Sequence, residues 1–159
     1  MEYLDLYNEK KEKTGKTIVR GEQIPVGLYK MISVIFIENN NNEFLFQFTS
    51  KEKGHVWAVP GGHVKSGDNA EETIIKEVEE EMGYTLDKDK LKHIHTFMKN
   101  SIIAEVYYIK EDIDLNALIL QEEEVESVKW LTHEEIDKLT NEGLVRLLNV
   151  LIMNELKLF

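Results

Sequence analysis

The segment from Pro60 to Tyr84 constrains the fold of this chain more than any other part of it. It opens on Pro60-Gly61-Gly62, takes a helical pattern from Asp68 to Met82, and ends on Gly83. Glycines let a backbone turn sharply or approach a ligand closely, and Gly83 directly after Met82 fits a left-handed helix stop. At about 100° per residue, Glu77, Glu80 and Glu81 are related by i, i+3 and i+4 and fall within roughly a 100° sector. Ile75, Val78 and Met82 gather on the adjacent sector and are expected to face the core, while Glu79 points to solvent. Strand, glycine turn, loop, acidic helix and glycine stop then form one compact unit, with an anion-and-metal site at its edge.

Carboxylates gathered this way repel one another, by about 0.2–0.5 kcal/mol per i, i+4 pair on an exposed helix and by more where water is excluded. A solvated acidic face accounts for many Glu-rich helices. It accounts less well for Glu79-Glu80-Glu81, where acids run together and only Lys65 and Lys76 stand against seven acidic residues between Gly61 and Tyr84. A hard divalent cation relieves the repulsion, because Mg²⁺ takes oxygen ligands and combines carboxylates with water and substrate phosphates.

Outside this unit the pattern alternates between strand and helix. Apolar runs Met31–Ile37 and Phe44–Phe48 flank Asn39–Asn42, which reads as a hairpin turn because Asn tolerates left-handed angles. Val56–Val59, Leu91–Met98, Ile102–Ile109 and Val125–Leu131 read as further strands. Thr132 with Glu135 three residues on has the form of a capping box. The apolar stretch from Leu144 to Leu158 reads as a helix, favouring core packing and leaving a homodimer contact open. Such mixing predicts an α/β fold with helices on the faces of a mixed sheet. No repeat or linker divides the 159 residues, so one domain over 1–159 is expected.

Composition removes several classes of function. The net charge of −11 argues against a nucleic-acid duplex as partner, since phosphate backbones are gripped by Lys and Arg. No apolar run is long enough to span a membrane. The opening Met1–Asp5 has neither a basic region nor an apolar signal core, which predicts a cytoplasmic protein. There is no cysteine, so thiolate nucleophiles and thiolate zinc sites are excluded.

The acidic segment resembles the Nudix box, the signature of Nudix (MutT-like) hydrolases. Gly62 opens the motif, Asp68 takes its first Glu position and Lys76 its Arg position. Glu77, Val78, Glu80, Glu81 and Gly83 match outright, and Tyr84 stands at the last aliphatic position, so six of nine constrained positions in residues 62–84 agree. The run from Val56 through Trp57-Ala58-Val59 to Val64 resembles the usual approach to the motif. Val125–Leu131 with the following Thr132–Ile136 resembles its later strand and helix. The resemblance spans roughly Lys30 to Leu139. The opening segment, treated as an extension over 1–29, is similar to the isopentenyl-diphosphate-isomerase-like branch at Asp5–Glu9, Thr14–Lys16 and Arg20-Gly21.

The resemblance implies an α/β/α sandwich and metal-dependent cleavage of a diphosphate linkage in a nucleoside diphosphate derivative or related organic pyrophosphate. By position, Glu77, Glu80 and Glu81, with Gly62 at the head of the motif, would hold Mg²⁺ or Mn²⁺. Asp68 and the glutamates would be the catalytic set. One of these glutamates, or an acid from a later loop, could take the proton of the attacking water, with Glu124 as the candidate for the later acid and Glu122, Glu123 and Glu105 as alternatives. Asp68 is one methylene shorter than Glu, and Lys76 lacks the planar fork of Arg. Two other readings stand beside this one. A non-catalytic nucleotide sensor on the same fold has little reason to keep a repulsive carboxylate cluster. An isopentenyl-diphosphate isomerase uses a Cys near the glycine turn, which this chain lacks.

The remaining polar and aromatic residues carry weaker signals. His63 could touch substrate or hold a local hydrogen bond. His93 and His95 alternate on one strand, so they are expected to share a face, with no acidic partner evident. Lys51 and Lys53 could meet a terminal phosphate or remain solvated. Trp57 is expected to pack beside the turn, and Tyr29, Phe46, Phe48 and Trp130 to be core or strand residues.

Overall fold

A computed structural model describes residues 1–157. Nine strands and three α-helices are present among them: β1 (Tyr3–Tyr7), β2 (Lys13–Val19), β3 (Lys30–Glu38), β4 (Phe44–Thr49), β5 (Trp57–Ala58), β6 (Gly61–His63), α1 (Ala70–Met82), β7 (Lys92–Lys99), β8 (Ile102–Lys110), β9 (Val125–Leu131), α2 (His133–Asn141) and α3 (Leu147–Leu156). β1 and β2 form an antiparallel hairpin, and the other strands form a mixed sheet. β3 is its centre, parallel to β8 from Lys30↔Ile102 to Glu38↔Lys110.

The two-residue period of β3 explains the layers. Met31, Ile35 and Ile37 turn to one face and pack with Ile74, Val78 and Met82 of α1. Val34 and Phe36 turn to the other and pack with Ile136 of α2 and with Ile152 and Met153 of α3. Both faces are therefore apolar and covered, the arrangement expected of a central strand with a parallel neighbour. The α/β class and the mixed sheet agree with the expectation from sequence.

The sheet opens at one place. β3 and β4 are joined at Glu38↔Phe44 by the Asn39–Asn42 turn, where Asn39 Oδ1 accepts from the N–H groups of Asn41 and Glu43 and Asn42 takes φ 59°. From there the two strands diverge. The gap is filled by β5, which pairs with β4, and β6, which pairs with β3, with Pro60 between them.

Several sequence expectations need correction. Pro60-Gly61-Gly62 is not simply a turn, because Gly61 and Gly62 belong to strand β6. The strand expected over Val56–Val59 is only Trp57–Ala58. α1 starts at Ala70 rather than near Asp68, since Asn69 caps it by accepting from the Glu72 N–H at 2.8 Å. Fully buried Ile74, not expected from sequence, joins Val78 and Met82 in the core, and half-buried Ile75 packs against the same cluster as expected. A bulge between His93 and His95 breaks their expected common face. Each histidine also has an acidic partner. His93 Nε2 lies 3.1 Å from Glu105, and His95 Nε2 lies 3.3 Å from Glu155 in poor alignment for a hydrogen bond. α3 starts at Leu147 rather than Leu144. Leu158 and Phe159, in the apolar tail, lie outside the described residues. The Gly83 stop (φ 66°) and the Thr132–Glu135 capping box form as expected. No helix among the described residues is long and apolar enough to cross a membrane.

Candidate active site

A cleft of about 570 Å³ occupies the place where β3 and β4 diverge. α1 lays its carboxylates along it. Burial of Ile74, Val78 and Met82 fixes the rotation of the helix, so Glu77 and Glu81, one position before Val78 and Met82, turn toward the cleft. Glu80 joins them there. Asn69 and Gly83 hold the two ends of the helix.

The three carboxylates differ in their surroundings. Glu81 is 7% exposed, accepts a hydrogen bond from Gln47 Nε2 at 3.1 Å, and also receives the Gly61 N–H. Burial, reinforced by the charges of Glu77 and Glu124, outweighs those bonds and pushes its carboxyl up to about 8. Glu77 is half-buried and pushed up to about 7, by burial first and by Glu80 next. Glu80 is exposed at the mouth. Among the described residues no group of three or more His, Asp or Glu side chains stands close enough together to hold a metal ion as placed.

Gly61 and Gly62 have different duties. A Cβ on Gly61 would fall 2.5 Å from the Ser33 carbonyl oxygen, against fixed backbone of β3. A Cβ on Gly62 would fall 2.4 Å from Glu77 Cδ, at the end of a side chain that can swing aside. Gly61→Ala is therefore expected to cost about 2 kcal/mol or more through strand separation. Gly62→Ala is expected to displace the Glu77 carboxylate, costing activity while leaving most of the stability. Thermal melts and turnover on both variants check this, and equal destabilisation by the two would contradict it.

Of the four later acids, Glu124 lines the cleft, half-buried and 3.4 Å from Lys53. Glu122 and Glu123 are exposed and do not line it. Glu105 lies elsewhere, tied to Lys11 (3.0 Å), His93 and Thr96, whose hydrogen bonds overcome its burial and lower its pKa. Asp68 does not line the main cleft. It sits 3.3 Å from Lys76 beside a smaller depression of about 200 Å³, which Glu77 and Glu80 also border. Lys53 reaches the cleft, whereas Lys51 is exposed. His63 lines it with Nε2 3.0 Å from Lys30 Nζ; burial first, then the charges of Arg20 and Lys30, hold its pKa near 4, so the ring is neutral. Trp57 is half-buried and packs on Phe48, with ring centroids 5.1 Å apart.

Three contributors were not singled out from sequence: Gln47, Arg146 and Asn149. Gln47 interrupts the apolar run of β4, a signal that was available. Arg146 and Asn149 are polar residues three apart within the apolar tail, also a visible signal. Arg146 Nη2 donates to the Lys53 carbonyl at 2.8 Å, and Asn149 Oδ1 accepts from the Val59 N–H at 3.0 Å, tying the start of α3 to the cleft. Arg20, quoted from sequence only for the resemblance of the opening segment, also lines the cleft.

A family model for the NUDIX domain matches residues 29–149, well over half of the chain. The chain belongs to the Nudix family. Members of this family act as pyrophosphohydrolases. An uncharacterized Nudix hydrolase of Listeria monocytogenes is 30% identical over 147 residues, covering 90% of this chain and 87% of that protein. The mouse asymmetrical bis(5'-nucleosyl)-tetraphosphatase is 30% identical over 106 residues, covering 62% of this chain and 70% of its own. A crystal structure from Deinococcus radiodurans superimposes with a TM-score of 0.74 at 25% identity, covering 89% of this chain and 90% of that one. These likenesses place the Nudix chain among relatives of nucleotide pyrophosphatases.

Proposed function

We propose that this Nudix protein is a metal-dependent hydrolase that cleaves a diphosphate linkage in a nucleoside diphosphate derivative or a related organic pyrophosphate, with residues 1–159 acting as one domain and 62–84 as its catalytic motif. The observation that carries the reading is that Glu77, Glu80, Glu81 and Glu124 all line one cleft. Burial first, then the charges of neighbouring carboxylates, pushes Glu77 up to about 7 and Glu81 up to about 8, and an opposite charge beside them would favour their ionised forms. Their oxygen-only chemistry fits Mg²⁺ or Mn²⁺. Glu77, Glu80 and Glu81 would hold the ion, with Gly62 leaving room for the Glu77 carboxylate.

When bound, the ion neutralises diphosphate charge and lowers the pKa of a water. The chain's residues supply the rest. Glu124 is our candidate to take the proton of the attacking water as its oxygen bonds to phosphorus and the bridging P–O bond breaks. Lys53, beside Glu124, and Arg146 offer positive charge to the phosphate oxygens. Asp68 is assigned to hold Lys76 rather than to touch substrate.

The test is a screen of nucleotide sugars, dinucleoside polyphosphates, ADP-ribose, NADH and nucleoside triphosphates with Mg²⁺ or Mn²⁺, followed by phosphate and pyrophosphate release. The reading predicts turnover of at least one class and its loss on chelation. Thermal shift by a ligand with no release from any would favour a sensor, and release with all metal chelated would refute metal dependence.

A further inference from the structure

Gln47 stands where the pattern of β4 calls for an apolar residue. Leu45 packs on the α1 face of the sheet, and Phe44 and Phe46 pack on the other. The two-residue period therefore puts Gln47 beside Leu45, on the side of α1. It is 3% exposed, and its backbone is fixed on both sides, opposite Ala58 of β5 and Val128 of β9. Burying an amide costs stability unless it is hydrogen-bonded. The partner its side chain finds is Glu81, whose Oε1 accepts from Nε2 at 3.1 Å.

The Glu81 carboxylate thus has a donor anchored in the sheet. The Gly61 N–H reaches the same carboxylate from β6, which pairs with β3 on the other side of the cleft. A carboxylate has about four acceptor positions, so two donors leave positions open for an ion. Glu77 and Glu80 differ. Among the described residues neither of their side chains makes a hydrogen bond or an ion pair. As placed, the three do not stand close enough together to hold an ion. One carboxylate is held and two are free to turn.

We propose that Gln47 is a positioning residue for the metal site: it holds Glu81 as the fixed ligand, toward which Glu77 and Glu80 turn when the ion binds. A ligand already held in place has less freedom to lose on binding. The inference rests on the function proposed above, since it needs Glu81 to be a ligand of the ion.

The experiment follows Mn²⁺ binding to the full chain at pH 8 by loss of the free-ion electron paramagnetic resonance signal, with a metal-free thermal melt to confirm that each variant is folded at the titration temperature. Gln47→Met, which keeps the length and removes the donor, weakens Mn²⁺ binding at least tenfold, in keeping with the roughly 10–100-fold cost of removing an outer partner of a metal ligand. Gln47→Asn, an amide one methylene too short, falls between that variant and wild type. The decisive comparison is made in the Glu81→Gln background. There Gln47→Met changes the affinity less than threefold, because its route to the ion is gone. A merely structural role lowers the affinity by the same factor in both backgrounds. If Gln47→Met does not fold, Gln47→Asn in the two backgrounds makes the same comparison. Wild-type affinity in Gln47→Met, or an equal loss in both backgrounds, would overturn the positioning role. Glu81→Gln alone separates the two ideas: if it weakens Mn²⁺ binding tenfold or more while Gln47→Met does not, only the positioning role fails. If Glu81→Gln binds Mn²⁺ as wild type does, the assignment of Glu81 fails and the positioning role with it.

Discussion

Glu80→Gln lowers anhydride hydrolysis by about 10²–10⁴-fold, the range typical of removing one charged group from a phosphoryl-transfer or acid–base site. The substitution keeps shape and removes charge. Glu80 is exposed and outside the apolar core, so the melting temperature stays within a few degrees of wild type. The charge of Glu80 also raises the pKa of Glu77, so its removal eases ionisation there. The loss therefore belongs to the catalytic arrangement and not to folding. If the acidic helix were only a solvated face, the variant would turn over at the wild-type rate. Steady-state kinetics beside a thermal melt distinguish the two.

Glu81→Gln is expected to stabilise the metal-free protein while removing activity. The Glu81 carboxyl is raised to about 8 in the folded chain, above its ordinary value of 4.5. A group raised on folding contributes stability that is present below its unfolded pKa and is lost as pH rises through the folded one. Metal-free wild type thus loses stability between about pH 4.5 and pH 8, and Glu77, raised to about 7, adds to the loss over a narrower range. A Gln at 81 has no charge to desolvate and can still accept from Gln47. The variant is expected to exceed wild type on the order of 2 kcal/mol at pH 8, with little difference at pH 4.5. For a chain of this length that is a rise of several degrees in melting temperature at the higher pH. Saturating Mg²⁺ should reverse the ranking, stabilising wild type and not the variant. Parallel pH series of thermal melts with and without Mg²⁺ check both halves, and a variant less stable at pH 8 in chelator would contradict the account.

What was legible in the sequence follows from how local the causes are. The helical period of α1 is local, so Glu77, Glu80 and Glu81 could be expected on one side of the helix, and all three line the cleft. Gly83 and the Thr132–Glu135 box are also local and form as read. Tertiary causes were hidden. Gly61 and Gly62 look like a turn, but the need for glycine comes from the Ser33 carbonyl and the Glu77 carboxylate, brought close by packing. The choice of Glu124 over Glu122, Glu123 and Glu105 depends on where the segment before β9 crosses the cleft. Arg20 reaches the cleft because the hairpin docks on the loop before α1, a contact no period reveals. The bulge between His93 and His95 undid a correct two-residue period by inserting one extra position.

The central claim is that Glu77, Glu80 and Glu81 together hold a divalent cation. Titration of the full chain with Mn²⁺, followed by loss of the free-ion electron paramagnetic resonance signal, tests it without any substrate. The account predicts saturable binding at pH 8 that the Glu77→Gln, Glu80→Gln, Glu81→Gln triple variant loses by at least 100-fold. The Glu122→Gln, Glu123→Gln pair should retain it. Equal Mn²⁺ binding by the triple variant and the wild type would contradict the claim.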